Sequence, residues 1–342
     1  MPELRKCPIT ERWVVIATER SKRPTSFGGQ TPDKKSQEKC PLCGGREDQT
    51  PPEVIALRDD GSKPDTPGWK VRVVPNKFPA LTSVGEVSRT GIGLYDMMSG
   101  IGAHEVLIDT PDHFLGLADL ETEQIENILW AYKERINAIA KDNRFRYTLI
   151  FKNYGKAAGA SLAHPHSQLI ATPITPRYVK LELQKARAYY QQKERCIYCD
   201  LLRQELSSQD RIVFENENFV VFAPFASRFP FELWLLPRRH HAFFHEIEDN
   251  EKKELAVCIK NIMWRLKKTL DDPPYNYVLH TSPNPIPRPG KPAYWGTLRY
   301  DFHWHIEIIP RLTKMAGFEW GSGLYINPIS PEQAVKYLRE AK

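Results

Sequence analysis

Two histidines stand two residues apart in His164-Pro165-His166-Ser167-Gln168, behind a small-residue run, Gly159-Ala160-Ser161-Leu162-Ala163. If this stretch is extended, side chains two apart share one face. Packing needs neither ring. An imidazole near neutral pH can bind a metal, move a proton or attack phosphorus. A second His-x-His, His303 and His305, occurs late in the chain.

Six cysteines add a second kind of chemistry, and four of them form Cys40-Pro-Leu-Cys43 and Cys196-Ile-Tyr-Cys199. In a chain expected to be cytosolic, this spacing favours metal over disulfide. Two thiolates on one tetrahedral zinc leave two ligands to be found. Cys7 and Cys258 read as structural thiols.

The elements that must hold these groups recur in the same order in both halves. After its Cys-x-x-Cys, each half has a strand region, 69–80 or 211–224. A second strand follows, 104–109 or 231–236, then Pro111-Asp-His113 or Pro237-Arg-Arg-His240. Next comes one periodic helix. Residues 121–141 carry Ile125, Ile128, Leu129, Tyr132, Ile136 and Ile139. Residues 250–270 carry Leu255, Val257, Ile259, Ile262, Met263, Leu266 and Leu270. Asp119 and Asp249 are the expected caps. Another strand and the His-x-His close each half. The order implies a duplicated α+β module, mainly antiparallel, with one main helix per half. The expected division is 1–171, a polar helical linker at 172–195, and 196–342.

By the repeat, each metal site takes two cysteines and two histidines. The first is Cys40, Cys43, His113 and His164; the second is Cys196, Cys199, His240 and His303. His241 and His245 remain rivals to His240. His104, His280 and His305 read as surface or core residues. Four ligands close a site, so zinc here holds loops rather than activating water. His166 is then free beside a pinned His164. A neighbouring histidine carbonyl can accept one ring N–H and leave the other nitrogen to attack. Ser161, Ser167 and Gln168 can donate to phosphate oxygens. His305 lacks the following Ser-Gln, so the second half keeps the scaffold without the chemistry.

Length and composition agree with an enzyme of this kind. The chain has 342 residues, a 41% hydrophobic content and a net charge of +6. It has no run of about 18 apolar residues and no secretory signal, so a cytoplasmic protein without a membrane span is expected. The mild positive balance suits a small anion and is too diffuse for nucleic acid. A zinc module gripping nucleic acid is the reading from another class. It would require a steep salt dependence.

Arg20-Ser-Lys-Arg23-Pro, Cys40-Pro-Leu-Cys43, Val73-Val-Pro-Asn76-Lys-Phe-Pro-Ala-Leu81, Pro111-Asp-His113, Phe151-Lys-Asn153, His164-Pro-His166-Ser-Gln168, Pro230-Phe-Glu-Leu-Trp-Leu-Leu-Pro237 and Gly317-Phe-Glu319 span nearly the whole chain. Together they resemble the galactose-1-phosphate uridylyltransferase family, within the histidine-triad superfamily. The resemblance implies ping-pong transfer through a nucleotidyl-histidine at His166, from UDP-glucose to galactose 1-phosphate. It implies that Gln168 and Ser161 hold the phosphoryl group. Arg20, Arg23, Asn76 and Asn153 would lie around the nucleotide, and Phe318 and Glu319 in the sugar-binding segment. Homodimers are typical of the family. Its well-known branch builds the second metal site from a glutamate and three histidines, here matching Glu182, His280, His303 and His305, so iron is an alternative to zinc there. The second Cys-x-x-Cys and the Ser-Leu-Ala before His164 depart from that branch. The second Cys-x-x-Cys makes this chain similar to the branch that includes ADP-glucose phosphorylase-like enzymes. Adenylyl transfer to phosphate is therefore the alternative, and nucleotide hydrolysis a further one.

Overall fold

The computed structural model describes residues 1–20, 34–59, 61–287 and 295–341. In chain order, β1 (Glu3–Lys6) and β2 (Trp13–Ile16) open the chain. The first module is β3 (Ile55–Arg58), β4 (Trp69–Pro75), β5 (Arg89–Ile92), β6 (Tyr95–Met98), β7 (Ala103–Ile108), α1 (Thr122–Ala140), β8 (Tyr147–Tyr154) and β9 (His166–Thr172). Two helices follow, α2 (Arg177–Lys193) and α3 (Ile197–Ser208). The second module is β10 (Ile212–Glu215), β11 (Phe219–Phe222), β12 (Leu233–Pro237), α4 (Asp249–Leu270), β13 (Tyr275–His280), α5 (Leu298–Asp301) and β14 (His305–Pro310). The chain ends on α6 (Gly317–Ser322), β15 (Tyr325–Asn327) and α7 (Pro331–Arg339).

Ten strands form one antiparallel sheet in the order β10-β11-β12-β14-β13-β8-β9-β7-β4-β3. Read outward from the β8–β13 pair, the two sides have the same order. β8, β9, β7, β4 and β3 match β13, β14, β12, β11 and β10. The repeat in the sequence is thus a pseudo-two-fold in the sheet. The join is hydrogen-bonded from Tyr275↔Tyr154 to Leu279↔Ile150.

Strand alternation gives the sheet two unlike faces. On one face, Val71, Val73, Leu107, Ile150, Leu169, Tyr277, Ile306 and Ile308 pack against α1 and α4 in one buried core. The α1 positions expected to be apolar are all buried. On α4, Val257 is the exception: it points outward at 43% exposure, and Ala256 and Cys258 take its place in the core. The expected caps also shift. Asp119 does not cap α1, whose N-cap is Glu121; it accepts from Lys267 Nζ on α4 at 2.6 Å. Asp249 is the first residue of α4, which is capped by a Glu248–Glu251 box. A carboxylate one residue earlier reaches the orphan N–H groups better.

The other face differs between the modules. In the second module it is covered by α2 and α3, through Val179, Leu183, Ala186, Tyr198 and Leu202 packed on Val220, Phe222, Trp234 and Leu236. In the first module, among the described residues, the same face carries a small cluster around Cys40, Leu42, Trp69, Val74 and Ile108. The polar segment 172–195 is therefore a cover as well as a connection. A separate sheet, β1-β2-β15, ties the two chain ends together. Among the described residues no helix is long and apolar enough to cross a membrane.

Candidate active site and metal centres

Register sets the site on the less covered face. His166 pairs with Ile108, Gln168 with both Val106 and Phe151, and Val74 with Val106. Paired residues share a face, so Asn76, His104, Asn153, His166 and Gln168 all point to one side. Ser167 does not. It is fully buried on the helix side, its Oγ 2.6 Å from Tyr132 Oη of α1 and 3.4 Å from Asp109 Oδ1. The expectation that Ser167 donates to a phosphate is corrected: adjacent residues in a strand face opposite ways, and His166 takes the open side.

His166 is fixed by its own loop. His164 O, 2.8 Å from Nδ1, can only accept, so Nδ1 carries the hydrogen and Nε2 keeps its lone pair. Burial holds the imidazole below its ordinary range against that hydrogen bond, and the Lys152 ammonium adds to the effect. The ring is therefore neutral near pH 7, with its lone pair at Nε2. Beneath the loop, Lys152 donates to Asp109 in a fully buried ion pair, and Asp109 N donates to Pro165 O at 3.4 Å.

The first cysteine pair meets His113 and His164. Cys43 Sγ lies 3.3 Å from His113 Nδ1 and 3.5 Å from His164 Nδ1. The ligand atoms of all four residues lie within 4.8 Å of one another. A tetrahedral zinc, with its sulfurs at about 2.3 Å and nitrogens at about 2.0–2.1 Å, sets sulfur and nitrogen about 3.5 Å apart. His164 Nε2 donates to Thr110 O at 2.8 Å, which turns the Nδ1 lone pair to the centre. Burial takes His164 down to about 4, so it is neutral. Burial and the neighbouring Cys40 push the Cys43 thiol up to about 11, and a cation is what would deprotonate the pair. The loop can lie this close because Gly44 donates to Pro111 O at 3.2 Å where a Cβ would meet Pro111 Cβ at 3.0 Å.

The second centre repeats this construction. Cys196 and Cys199 stand at the start of α3, His240 follows β12 and His303 precedes β14. Cys199 Sγ is 3.4 Å from His240 Nδ1 and 3.6 Å from His303 Nδ1. His240 Nε2 donates to Arg299 O at 2.8 Å and His303 Nε2 to Pro237 O at 3.0 Å. His240 is thus the residue brought to the cysteines. His241 Nδ1 accepts instead from Trp304 Nε1 at 3.4 Å. Both donor sets fit a tetrahedral divalent metal.

The glutamate-and-histidine alternative for the second site is split by this geometry. His303 turns to the cysteines, while Glu182 Oε2 lies 3.0 Å from His280 Nδ1. Glu182, His280, His305 and Glu307 converge as a third cluster of metal-capable groups. Arg228 donates to Glu307 and Glu232, so positive charge already stands beside those carboxylates. His305, the counterpart of His166, has its Nδ1 3.1 Å from His303 O. It is fully buried, stacked between His280 at 4.7 Å and Trp234 at 5.4 Å, with Tyr198 of α3 at 5.2 Å.

Other expected residues fall less closely together. Ser161 is exposed in the loop before His164. Phe318 and Glu319 lie on α6, which packs on β15 of the small sheet; Phe318 is 49% exposed and Glu319 Oε2 accepts from Ala316 N at 2.9 Å. Arg23 lies outside the described residues, as does the side chain of Arg20. Residues that sequence reasoning missed are Lys152, Asp109, Tyr132, Arg228 and Asn276. Their roles depend on cross-strand partners that spacing does not reveal.

The fold is a duplicated antiparallel sheet with one histidine on its less covered face, a fully buried counterpart and two Cys-Cys-His-His sets that could each hold a metal. The profile for the galactose-1-phosphate uridyl transferase N-terminal domain matches residues 1–176 and that for the C-terminal domain residues 182–322. The chain belongs to this family of nucleotidyltransferases. Among relatives, it is 38% identical over 343 residues to the ADP-glucose phosphorylase of Arabidopsis thaliana, covering 99% of this chain and 93% of that one. It is 30% identical over 350 residues to the galactose-1-phosphate uridylyltransferase of Thermotoga maritima, covering 100% and 99%. Among solved structures, the Arabidopsis thaliana ADP-glucose phosphorylase with bound ADP-glucose superposes with a TM-score of 0.82 at 36% identity over 100% of both chains. A uridylyltransferase structure gives 0.74 at 29% identity, covering 100% of this chain and 98% of that one.

Proposed function

We propose that the chain transfers an adenylyl group from ADP-glucose to phosphate through a covalent adenylyl-His166. The supporting observation is His166 itself: neutral, held at Nδ1 by the His164 carbonyl, with Nε2 on the less covered sheet face. Nε2 attacks the α-phosphorus and the bond to the bridging oxygen breaks, releasing glucose 1-phosphate. A phosphate oxygen then attacks the same phosphorus, the P–N bond breaks, and ADP leaves. Splitting the displacement in two replaces one hard step by two easier ones. Gln168, Asn153 and Ser161 hold the phosphoryl oxygens, with Asn76 beside the nucleotide. The preference for adenine and phosphate draws on the similarity to the Arabidopsis enzyme over both full chains and on the second Cys-x-x-Cys. The Thermotoga relative favours a second reading, uridylyl transfer from UDP-glucose to galactose 1-phosphate by the same histidine.

Two zinc ions per chain are proposed, one in each Cys-Cys-His-His set, as cross-links that hold loops. A homodimer is proposed in which Phe318 and Trp320, 49% and 74% exposed, are covered. Six unpaired cysteines suit a cytosolic location.

A panel of ADP-glucose and UDP-glucose against phosphate and galactose 1-phosphate tests the assignment. ADP-glucose with phosphate should turn over fastest. A preference for UDP-glucose with galactose 1-phosphate would establish the second reading, and consumption without an acceptor would indicate hydrolysis. Nucleotide labelled at the α-phosphate should leave acid-labile, base-stable label on the protein and none on His166→Asn. Normal turnover by that variant would place the nucleophile elsewhere.

A further inference from the structure

We infer that His104 and Asn276 are positioning residues that lock the amides of Gln168 and Asn153 as N–H donors toward a phosphoryl group at His166. The inference rests on the proposed histidine chemistry and concerns residues with no part in the sequence motifs.

The argument for His104 is one of hydrogens. Ala80 N lies 3.1 Å from His104 Nδ1, and a backbone N–H can only donate. Nδ1 therefore holds the lone pair, and the hydrogen of the neutral ring is on Nε2. That nitrogen is 2.9 Å from Gln168 Oε1. With the amide turned over, two donors would face each other at this distance, so only one orientation is satisfied. Asn76 Nδ2 also approaches Nε2, at 3.0 Å. Its own Oδ1 accepts from Phe78 N at 2.9 Å, so Asn76 brings a second donor to Nε2, and the Nε2–H tautomer rests on the Ala80 and Gln168 contacts against it. The Gln168 NH2 is thereby turned away from His104, on the face that carries His166.

Asn276 does the same for Asn153. Its Nδ2 donates to Ala158 O at 2.9 Å and to Asn153 Oδ1 at 2.8 Å. The Ala158 carbonyl can only accept, which fixes the Asn276 amide and, through it, the Asn153 amide. Asn153 sits one position beyond the Lys152↔Ser167 pair and so flanks His166 in register. Asn276 lies opposite it on β13. Two carboxamides beside one nucleophile thus have their oxygens engaged and their NH2 groups left as donors. Phosphoryl oxygens only accept, so this is the orientation that binds them, and a reversed amide would repel them. One of the two locks comes from the second module, which gives that module a share in a site whose own histidine is closed.

The test uses the full-length protein and single-turnover labelling by ADP-glucose and UDP-glucose. His104→Leu should slow nucleotidyl transfer about 10–100-fold, the range for outer partners of reactive groups, with a smaller change in KM. His104→Gln returns an N–H near the Nε2 position and should recover most of the rate. In a Gln168→Ala background, His104→Leu should cost less than about twofold more, because the two act as one unit. Asn276→Asp, which offers an acceptor where a donor was, should slow transfer about 10-fold or more with a Tm near that of the parent. Independent losses in the double variant, no recovery in His104→Gln, or an unaffected Asn276→Asp would overturn the inference. Imidazole 15N spectra of the intact protein, assigned with His104→Gln, should show the Nε2–H tautomer at His104. An Nδ1–H tautomer would overturn it even if neither sugar nucleotide labels the protein, an outcome that would instead sink the proposed transfer reaction.

Discussion

Lys152 and Asp109 are each about 1% exposed, and their ion pair lies under the His164-Pro165-His166 turn. Burial lowers the Lys152 ammonium, and Asp109 offsets only part of that, so the cation depends on its partner. Lys152→Met should therefore cost about 3–5 kcal/mol in urea unfolding, and adding Asp109→Asn should return more than half of it. An additive double variant would show that the pair is not coupled. His280 carries a pH dependence. Burial opposes its charge, but Glu182 and then Glu307 outweigh burial and raise it to about 8. Because the folded value lies above the ordinary value of about 6.5, the pair stabilises fully below about pH 6.5 and is lost as pH rises through about 8. Tm should fall across that window, and Glu182→Gln should flatten the fall; an unchanged slope would remove the pair as its cause. The sequence made His166 legible because two imidazoles had no packing role. The same strand periodicity excludes Ser167, since neighbours in a strand alternate. His104 and Asn276 were illegible because what matters is their partner across the sheet.

At the scale of elements, the Cys-x-x-Cys loops and the histidine strands do separate work in the two modules. A metal in the first set would hold His164 and so the carbonyl that orients His166. One in the second set would hold α3 over the covered face of the second module, beside β12 and β14 rather than β9. Cys40→Ser with Cys43→Ser should therefore remove one zinc and abolish nucleotidyl labelling. Cys196→Ser with Cys199→Ser should remove the other, lower Tm and leave labelling detectable. Metal analysis and label retention on the two purified variants check this. Equal loss of labelling would mean that both centres serve the site alike. These elements were readable because the Cys pairs, the proline-histidine turns and the periodic helices recur in one order. The cover formed by α2 was not readable. Its polarity suggested a connection, yet Val179, Leu183 and Ala186 form a narrow apolar stripe against the second module.

For the whole molecule, the repeat gave a duplicated module in two halves, and one sheet runs through both. β8 and β13 are hydrogen-bonded across the pseudo-two-fold, α1 packs on α4, and Tyr154 stacks on Tyr275 with centroids 4.9 Å apart. Tyr154 Oη donates to Asp272 at 2.8 Å, and Lys260 and Lys267 of α4 reach Glu121 and Asp119. Residues 1–171 alone would expose the β8 edge and the part of α1 that packs on α4. An unpaired hydrophobic edge of this length associates with other chains. We therefore expect equilibrium unfolding of the full chain to show one transition, coincident by far-UV circular dichroism and tryptophan fluorescence. We expect the 1–171 fragment to aggregate or to lack cooperative unfolding. Two separated transitions, or a fragment that unfolds with its own sharp midpoint, would show the modules to be independent. One cooperative body is also what the site requires, because Asn276 can hold Asn153 beside His166 only while the two modules share a sheet.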